Sequence, residues 1–153
     1  MRFKLIGAVA TLAALACSGG ERRQEGQTDQ PAAGAAGAAA GGAVVEVRMT
    51  GNGTNQAAFE PAAITVAPGT TVRFINVSGG PHNVAFWGDS IPAGAAPVLN
   101  AAMPDRMSDL SSRFATGPNE ALDISFAGAP AGVYKAYCLP HLQLRMTMTI
   151  TVQ

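Results

Sequence analysis

From Val44 onward the chain runs in short segments in which apolar and polar residues alternate. In the first segment Val45, Val47 and Met49 fall on one face and Glu46 on the other. This period of two is typical of a β-strand with one buried face. The pattern recurs in Ile64 and Val66, Val72 and Phe74, Val84 and Phe86, Leu122, Ile124 and Phe126, and Tyr134 and Ala136. Because turn residues separate the segments, we predict an all-β sandwich of about seven to eight short strands.

The stretch 90–119 is the least regular part of this region. It shows no sustained alternation, and residues 104–111 begin with a proline. Proline is favoured in the first turn of a helix, where its missing N–H is not needed. We therefore predict loops here, with one short helical segment near 104–111.

Residues 1–16 have the features of an export signal. Residues 1–4 are basic, and residues 5–16 form an apolar and small run broken only by Thr11. This run is shorter than the stretch of about 20 apolar residues that spans a bilayer. It fits the core of a signal peptide. We therefore predict an exported protein, located in the periplasm or another extracytoplasmic space.

Cys17 follows this signal directly, and two interpretations are open. Ala14-Leu15-Ala16 fits an ordinary signal-peptidase site, which would leave a soluble protein with a stray thiol. Alternatively, Cys17 is lipidated and becomes the first residue of a lipoprotein. Residues 17–43 are rich in Ala, Gly and Gln, a composition typical of a disordered tether. A tether after the cysteine favours the lipid anchor, and we expect membrane contact through that anchor only.

The predicted folded domain, residues 44–153, is nearly neutral. It carries six basic and seven acidic residues and hence a net charge of −1. This balance argues against nucleic acid as a partner and predicts little long-range electrostatic steering. We expect docking to be mostly apolar.

Three potential metal ligands lie close together near the C-terminus. Cys138, His141 and Met146 have the spacing Cys-x2-His-x4-Met, just before a run that alternates as a strand does. A thiolate, an imidazole and a thioether on one tight loop can reach a single ion, and they leave room for another nitrogen. The chain has two histidines, so we predict His82 as the fourth ligand.

This donor set indicates copper. A Cys thiolate and two imidazoles in a trigonal plane, with a long axial bond to Met, form the electron-transfer copper site. A structural zinc site usually takes four Cys or His ligands, whereas the predicted folded domain supplies three. Met148 shares a strand face with Met146, and core packing is the alternative role for either. The x4 spacing favours Met146 as the axial ligand.

The motifs around these residues resemble plastocyanin, in the wider cupredoxin family. The resemblance covers roughly residues 44–153. It rests on Gly80-Pro81-His82-Asn83-Val84, Tyr137-Cys138-Leu139-Pro140-His141, Met146, Ala67-Pro68-Gly69, and Ile91-Pro92-Ala93-Gly94. It implies a Greek-key β-sandwich that holds one type 1 copper ion and shuttles single electrons. One departure is Arg145, which stands where the family usually has glycine.

Carried over residue by residue, the resemblance implies the ligands His82, Cys138, His141 and Met146. It also implies supporting roles for Asn83 and Asn76, with Asn83 tying the two ligand loops together and offering its backbone N–H to the thiolate. The apolar residues that flank His141 imply a docking patch for redox proteins such as c-type cytochromes. This docking patch consists of Leu139, Pro140, Leu142 and Leu144. We expect a monomer.

Other functions fit less well. A periplasmic copper chaperone or buffer with the same fold is the main alternative. An oxidase or nitrite reductase needs further copper centres, and no histidine is left to build them, so we expect no enzymatic activity. Met103 and Met107, spaced i and i+4, could belong to a Cu(I) carrier site, but packing is the more ordinary role for such a pair.

Overall fold

The computed structural model of the protein describes residues 42–153. They form two four-stranded sheets packed as a β-sandwich, which confirms the predicted fold class. The predicted signal peptide, the predicted lipidation of Cys17 and residues 17–41 of the predicted tether lie outside the described residues. No helix within residues 42–153 is long and apolar enough to cross a membrane.

The eight strands lie largely where the alternation was strongest. In chain order they are β1 (Val44–Gly51), β2 (Ala57–Glu60), β3 (Ala63–Val66), β4 (Thr71–Asn76), β5 (Ala85–Phe86), β6 (Ala121–Ser125), β7 (Gly132–Tyr137) and β8 (Thr147–Val152). One sheet has the order β2-β1-β4-β6 and the other β3-β8-β7-β5. Strand β1 pairs in parallel with β4, as β3 does with β8. Parallel neighbours cannot be joined by a tight hairpin, so the chain crosses between the sheets.

The core lies between the sheets and is built from every second residue of the strands. Val47 and Phe74 from the first sheet are completely buried, as are Tyr134 and Ile150 from the second. Phe59 packs edge-on against Phe74, with ring centroids 5.9 Å apart. Burying one such side chain stabilises the fold by about 1.5–3 kcal/mol. Phe59 belongs to β2. The hydrophobic pattern did not predict this strand, because Phe59 is its one large apolar residue and no alternation is visible.

The short helix lies earlier than predicted. Helix α1 spans Ala95–Ala102, whereas residues 104–111 form turns and isolated bridges. Pro104 directly follows Met103, the C-cap of α1, and proline after a C-cap stops a helix. The prediction of a helix near 104–111 is therefore wrong, because Pro104 marks a helix end and not a helix start. The proline in the first turn of α1 is Pro97.

One end of the sandwich gathers the segments that carry the predicted ligands. Strand β7 ends just before Cys138, β8 begins just after Met146, and the loop after β4 leads to His82. At this end a Cβ added to Gly79 would lie 2.4 Å from a backbone atom of Gly51. This close approach requires glycine, and it seats the turn before His82 directly on the end of β1.

Candidate metal centre

Three of the predicted ligands come together at this end of the sandwich. The ligating atoms of His82, Cys138 and His141 all lie within 4.8 Å of one another, and residues 42–153 hold no second such group of His, Cys, Asp or Glu. Cys138 Sγ is 3.6 Å from His82 Nδ1 and 3.4 Å from His141 Nδ1. The site thus unites a loop near residue 82 with a loop more than fifty residues later in the chain.

These distances fit a single ion. Metal bonds of about 2.0 Å to nitrogen and about 2.3 Å to sulfur place the two donors of one ion about 3.5–3.8 Å apart. The separations of Cys138 Sγ from the two imidazole nitrogens lie close to this range. The donors are therefore spaced for a common ion.

The loop between β7 and β8 is closed by backbone hydrogen bonds. The Cys138 N–H donates to the Met146 carbonyl at 3.0 Å, and the His141 N–H donates to the Cys138 carbonyl at 3.2 Å. Between Cys138 and Met146 a 3-10 helix spans Leu139–Leu144, with Pro140 in its first turn and an interruption at His141, whose backbone is not helical. Because Met146 is fully buried and tied to Cys138, it lies near the other three residues. Met148, the alternative candidate, is buried in the core at 3% exposure.

Arg145 closes this loop in an unusual backbone conformation. Its φ of 59° and ψ of 34° are left-handed, a region that glycine enters without cost and other L-residues enter rarely. Its backbone N–H donates to the carbonyls of His141 and Leu142. The departure from the family's glycine thus falls at the position where glycine would be easiest to accommodate.

His82 is oriented by the protein alone. Its backbone N–H donates to the Ala115 carbonyl at 3.1 Å, and its carbonyl accepts from the Ala115 N–H at 2.8 Å. In the ring, Nε2 is 2.9 Å from the Ser78 carbonyl. A carbonyl only accepts, so Nε2 carries the proton and donates it. This leaves the lone pair of Nδ1 directed toward Cys138, as a metal-ligating histidine requires.

Asn83 joins the two ligand loops. Its backbone N–H donates to Cys138 Sγ at 3.5 Å. Its side-chain Oδ1 accepts from the Leu139 N–H at 2.8 Å, and its Nδ2 donates to Ser111 Oγ at 3.1 Å. Asn83 is completely buried, so solvent cannot replace these bonds without opening the site.

Asn76 supports the His82 loop from beneath. Its Nδ2 donates to the carbonyls of Ala115 and Gly117 at 3.2 and 3.0 Å. A Cβ added to Gly80 would lie 2.9 Å from the same Nδ2. Asn76 therefore connects the loop before His82 with the segment that pairs with His82.

Burial shifts the titration of all three donors toward their uncharged forms. Burial raises the pKa of the Cys138 thiol, although the Asn83 N–H acts against it. Burial lowers the pKa of His82 and of His141, and the charge of His82 lowers that of His141 further. Neutral imidazoles are ready to bind a metal. The thiol, in contrast, must first release its proton to solvent, and a bound cation favours this release because it stabilises the thiolate.

The predicted docking patch surrounds His141, which is only partly buried. Leu139 is 47% exposed, Pro140 is exposed, and Leu142 and Leu144 are partly exposed. His82 and Cys138, in contrast, are completely buried. Of the four predicted ligands, His141 therefore offers the route from the site to the surface.

The methionine pair of the alternative carrier site does not form one surface. Met103 is buried at 4% exposure, whereas Met107 is 47% exposed. Both lie outside the helix whose i, i+4 spacing would bring them together. Met103 thus serves packing.

Sequence reasoning missed three residues that act on the site. They are Ser78, Ser111 and Ala115, which bond to His82 or Asn83. Ser78 and Ala115 act through backbone groups, which leave no signature in the sequence. Ser111 lies in the irregular stretch 90–119, so no periodicity marked it as buried.

A β-sandwich that holds a buried thiol and two imidazoles at one end defines a mononuclear metal protein of the cupredoxin class. Residues 45–153 match the family described as copper binding proteins, plastocyanin/azurin family. The chain belongs to this family.

Individual relatives agree with this assignment. The chain is 36% identical to plastocyanin of Prochlorothrix hollandica over 117 residues, covering 74% of this chain and 76% of that one. It is 36% identical to plastocyanin of Ulva pertusa over 108 residues, or 71% and 99% of the two chains. The solved structure of oxidized plastocyanin from Dryopteris crassirhizoma is 29% identical, covers 71% of this chain and all of its own, and has a TM-score of 0.55. The predicted plastocyanin-like class and its cofactor, one type 1 copper ion, are confirmed.

Proposed function

We propose that the protein is an exported mononuclear blue copper protein that carries single electrons between redox partners, with His82, Cys138, His141 and Met146 as its copper ligands. The cluster of three donors within 4.8 Å of one another carries this proposal. When bound, copper supplies one-electron chemistry by alternating between Cu(I) and Cu(II). The protein by itself turns over no substrate.

The residues around the donors limit their movement. His82 is held by the Ser78 carbonyl and by Ala115, while Cys138 is held by Met146 and Asn83. All of these contacts are made by groups of the polypeptide itself. A site held by its own polypeptide rearranges little when the charge on the metal changes by one, and a small rearrangement keeps electron transfer fast.

Electrons enter or leave through His141. Its partial exposure within the docking patch supports this route, because the other donors are enclosed. The partners are other redox proteins, such as c-type cytochromes, and they cover the patch only transiently. The protein acts as a monomer.

Export and lipidation rest on the sequence. The basic start, the short apolar run and Cys17 before a tether support a periplasmic lipoprotein. Expression of the full chain tests this part separately. We expect the wild-type chain in the membrane fraction and Cys17→Ser in the soluble fraction. A wild-type chain that stays soluble contradicts lipidation without affecting the copper site.

The copper site is tested with a matched pair of methionine variants. We expect the protein loaded with Cu(II) to show the intense thiolate charge-transfer band of a blue site, and Cys138→Ser to lose it. Met146→Leu should change the spectrum and raise or lower the reduction potential, because the axial ligand tunes that potential. Met148→Leu, an equally apolar change in the neighbouring core, should alter neither. A colourless wild-type complex, or equal effects of the two methionine variants, contradicts the ligand assignment.

Copper retention separates a carrier from a chaperone. A carrier keeps its ion while it exchanges electrons quickly with cytochrome c. A chaperone or buffer hands copper to a chelating acceptor and exchanges electrons slowly. Fast electron exchange with the metal retained is the result expected here, and rapid loss of copper to the acceptor contradicts the proposal.

A further inference from the structure

Arg145 is an exposed cation beside the point of electron exit. Its backbone N–H donates to the carbonyls of His141 and Leu142, so its Cα adjoins the docking patch of Leu139, Pro140, Leu142 and Leu144. The side chain is exposed. The three ion pairs formed within residues 42–153 use other arginines, namely Arg73, Arg106 and Arg113. No carboxylate of the described domain therefore neutralises Arg145.

The backbone of Arg145 makes this placement costly. Within residues 42–153 the residues other than glycine with positive φ are Leu110, Asn119 and Arg145. Asparagine tolerates that region because its short polar side chain can hydrogen-bond locally, whereas arginine and leucine enter it rarely. Backbone strain held next to a functional site points to a use for the side chain that causes it. Here that side chain carries a positive charge to the rim of an apolar patch.

We propose that Arg145 selects the electron-transfer partner, and that this partner is a redox protein with carboxylates at the edge of its own docking surface. This inference rests on the proposed function. The apolar patch gives contact but does not distinguish partners by charge. A single uncompensated cation at its rim favours an anionic partner and disfavours a cationic one, and it acts mainly on the rate of association.

The expected size of the effect follows from Coulomb's law. A trianion about 10 Å from the guanidinium gains attraction that raises its local concentration about fivefold at 0.01 M ionic strength and about twofold at 0.1 M. A trication at the same distance is repelled to a similar extent. The effect of Arg145 on the reaction rate is therefore opposite in sign for the two reactants, and it decreases as the ionic strength rises.

The test uses two small one-electron oxidants on the full-length copper-loaded protein in its reduced form. Hexacyanoferrate(III) is a trianion, tris(phenanthroline)cobalt(III) is a trication, and each accepts one electron from Cu(I). For Arg145→Gln we expect the rate with the trianion to fall about fivefold at 0.01 M ionic strength, and the rate with the trication to rise by a similar factor. Arg145→Lys should keep most of the wild-type selectivity.

Lys135→Gln is the matched control, because it removes one exposed positive charge from the outer face of β7. It should change either rate by less than half as much as Arg145→Gln. Equal effects of the two variants, or equal rates for wild type and Arg145→Gln with both oxidants, overturn the inference. The blue band and the reduction potential are measured on each variant, so a failure of the copper site itself is recognised separately by loss of the band in the wild type.

Discussion

Asn83 provides the sharpest test of how the copper-free site is held together. Replacing it with alanine removes the acceptor of the Leu139 N–H and the donor to Ser111 Oγ, bonds of 2.8 and 3.1 Å. Each lost hydrogen bond costs about 1 kcal/mol, and a buried group left without a partner costs about 1–3 kcal/mol. Leu139 is partly reached by water, so we expect the free energy of unfolding to fall by about 2–4 kcal/mol in total.

Urea unfolding of the copper-free protein measures this loss. With a slope of about 2 kcal/mol per molar urea, a loss of about 3 kcal/mol moves the midpoint down by about 1.5 M. Asn55→Ala is the control, because Asn55 is exposed and its side chain accepts one bond, from Asn52. We expect it to cost less than about 0.5 kcal/mol. If Asn83→Ala costs less than about 1 kcal/mol, or no more than Asn55→Ala, the bridge between the loops does not stabilise the fold as argued.

Three further outcomes follow from the same structure. Arg145→Gly should stabilise the copper-free protein by about 0.5–1 kcal/mol in urea unfolding, because glycine relieves a left-handed conformation that costs about 1–2 kcal/mol and this gain exceeds the extra backbone entropy that glycine loses on folding. A loss of stability would contradict the claim that the Arg145 backbone is strained. Hydrogen bonds from the Gly117 N–H and from Arg113 lower the pKa of Glu120 from 4.5 to about 2. The ionised Glu120 therefore contributes fully to the free energy of unfolding above pH 4.5, and this contribution disappears as the pH falls toward 2. The stability of Glu120→Gln should therefore change less across that window in acid titrations, and parallel curves for the two proteins contradict the assignment. At pH 8, copper binding should release about one proton per ion in weakly buffered titration, because burial keeps the pKa of the Cys138 thiol above its usual value while both imidazoles are already neutral; release of two or more contradicts the neutral imidazoles.

Much of the site could be predicted from the sequence because three of the predicted ligands are close together along the chain. Cys138, His141 and Met146 lie within one loop, so their proximity requires only that the loop closes. His82 followed from scarcity, since the chain has two histidines. Most strands could also be predicted, because buried residues recur at every second position within them, as Val72 and Phe74 do in β4 and Met148 and Ile150 do in β8.

The parts that could not be predicted depend on backbone groups and on irregular chain. The Ser78 carbonyl fixes the His82 tautomer, and any residue there would supply the same carbonyl. Residues 108–115 reach the site through isolated bridges, such as His82 with Ala115, which impose no periodicity on the sequence. The position of the helix was ambiguous because proline can either begin a helix or follow its end, and only the tertiary fold selects between Pro97 and Pro104.

The two sides of the site differ in how firmly the protein holds them, and this difference suits an electron carrier. His82 and Cys138 are completely buried, and each has a hydrogen bond to another part of the chain, from His82 to the Ser78 carbonyl and to Cys138 from the Asn83 N–H. His141 is held through its backbone N–H and is partly exposed, and the structure records no hydrogen bond from its ring to any described residue other than Cys138. Under the proposed function, the buried side keeps the positions of the donors constant, and the exposed imidazole is the group that a partner would contact. A site buried on all sides would hold its geometry equally well but would lengthen the path for the electron, and a site exposed on all sides would lose the enclosure that keeps its donors in place.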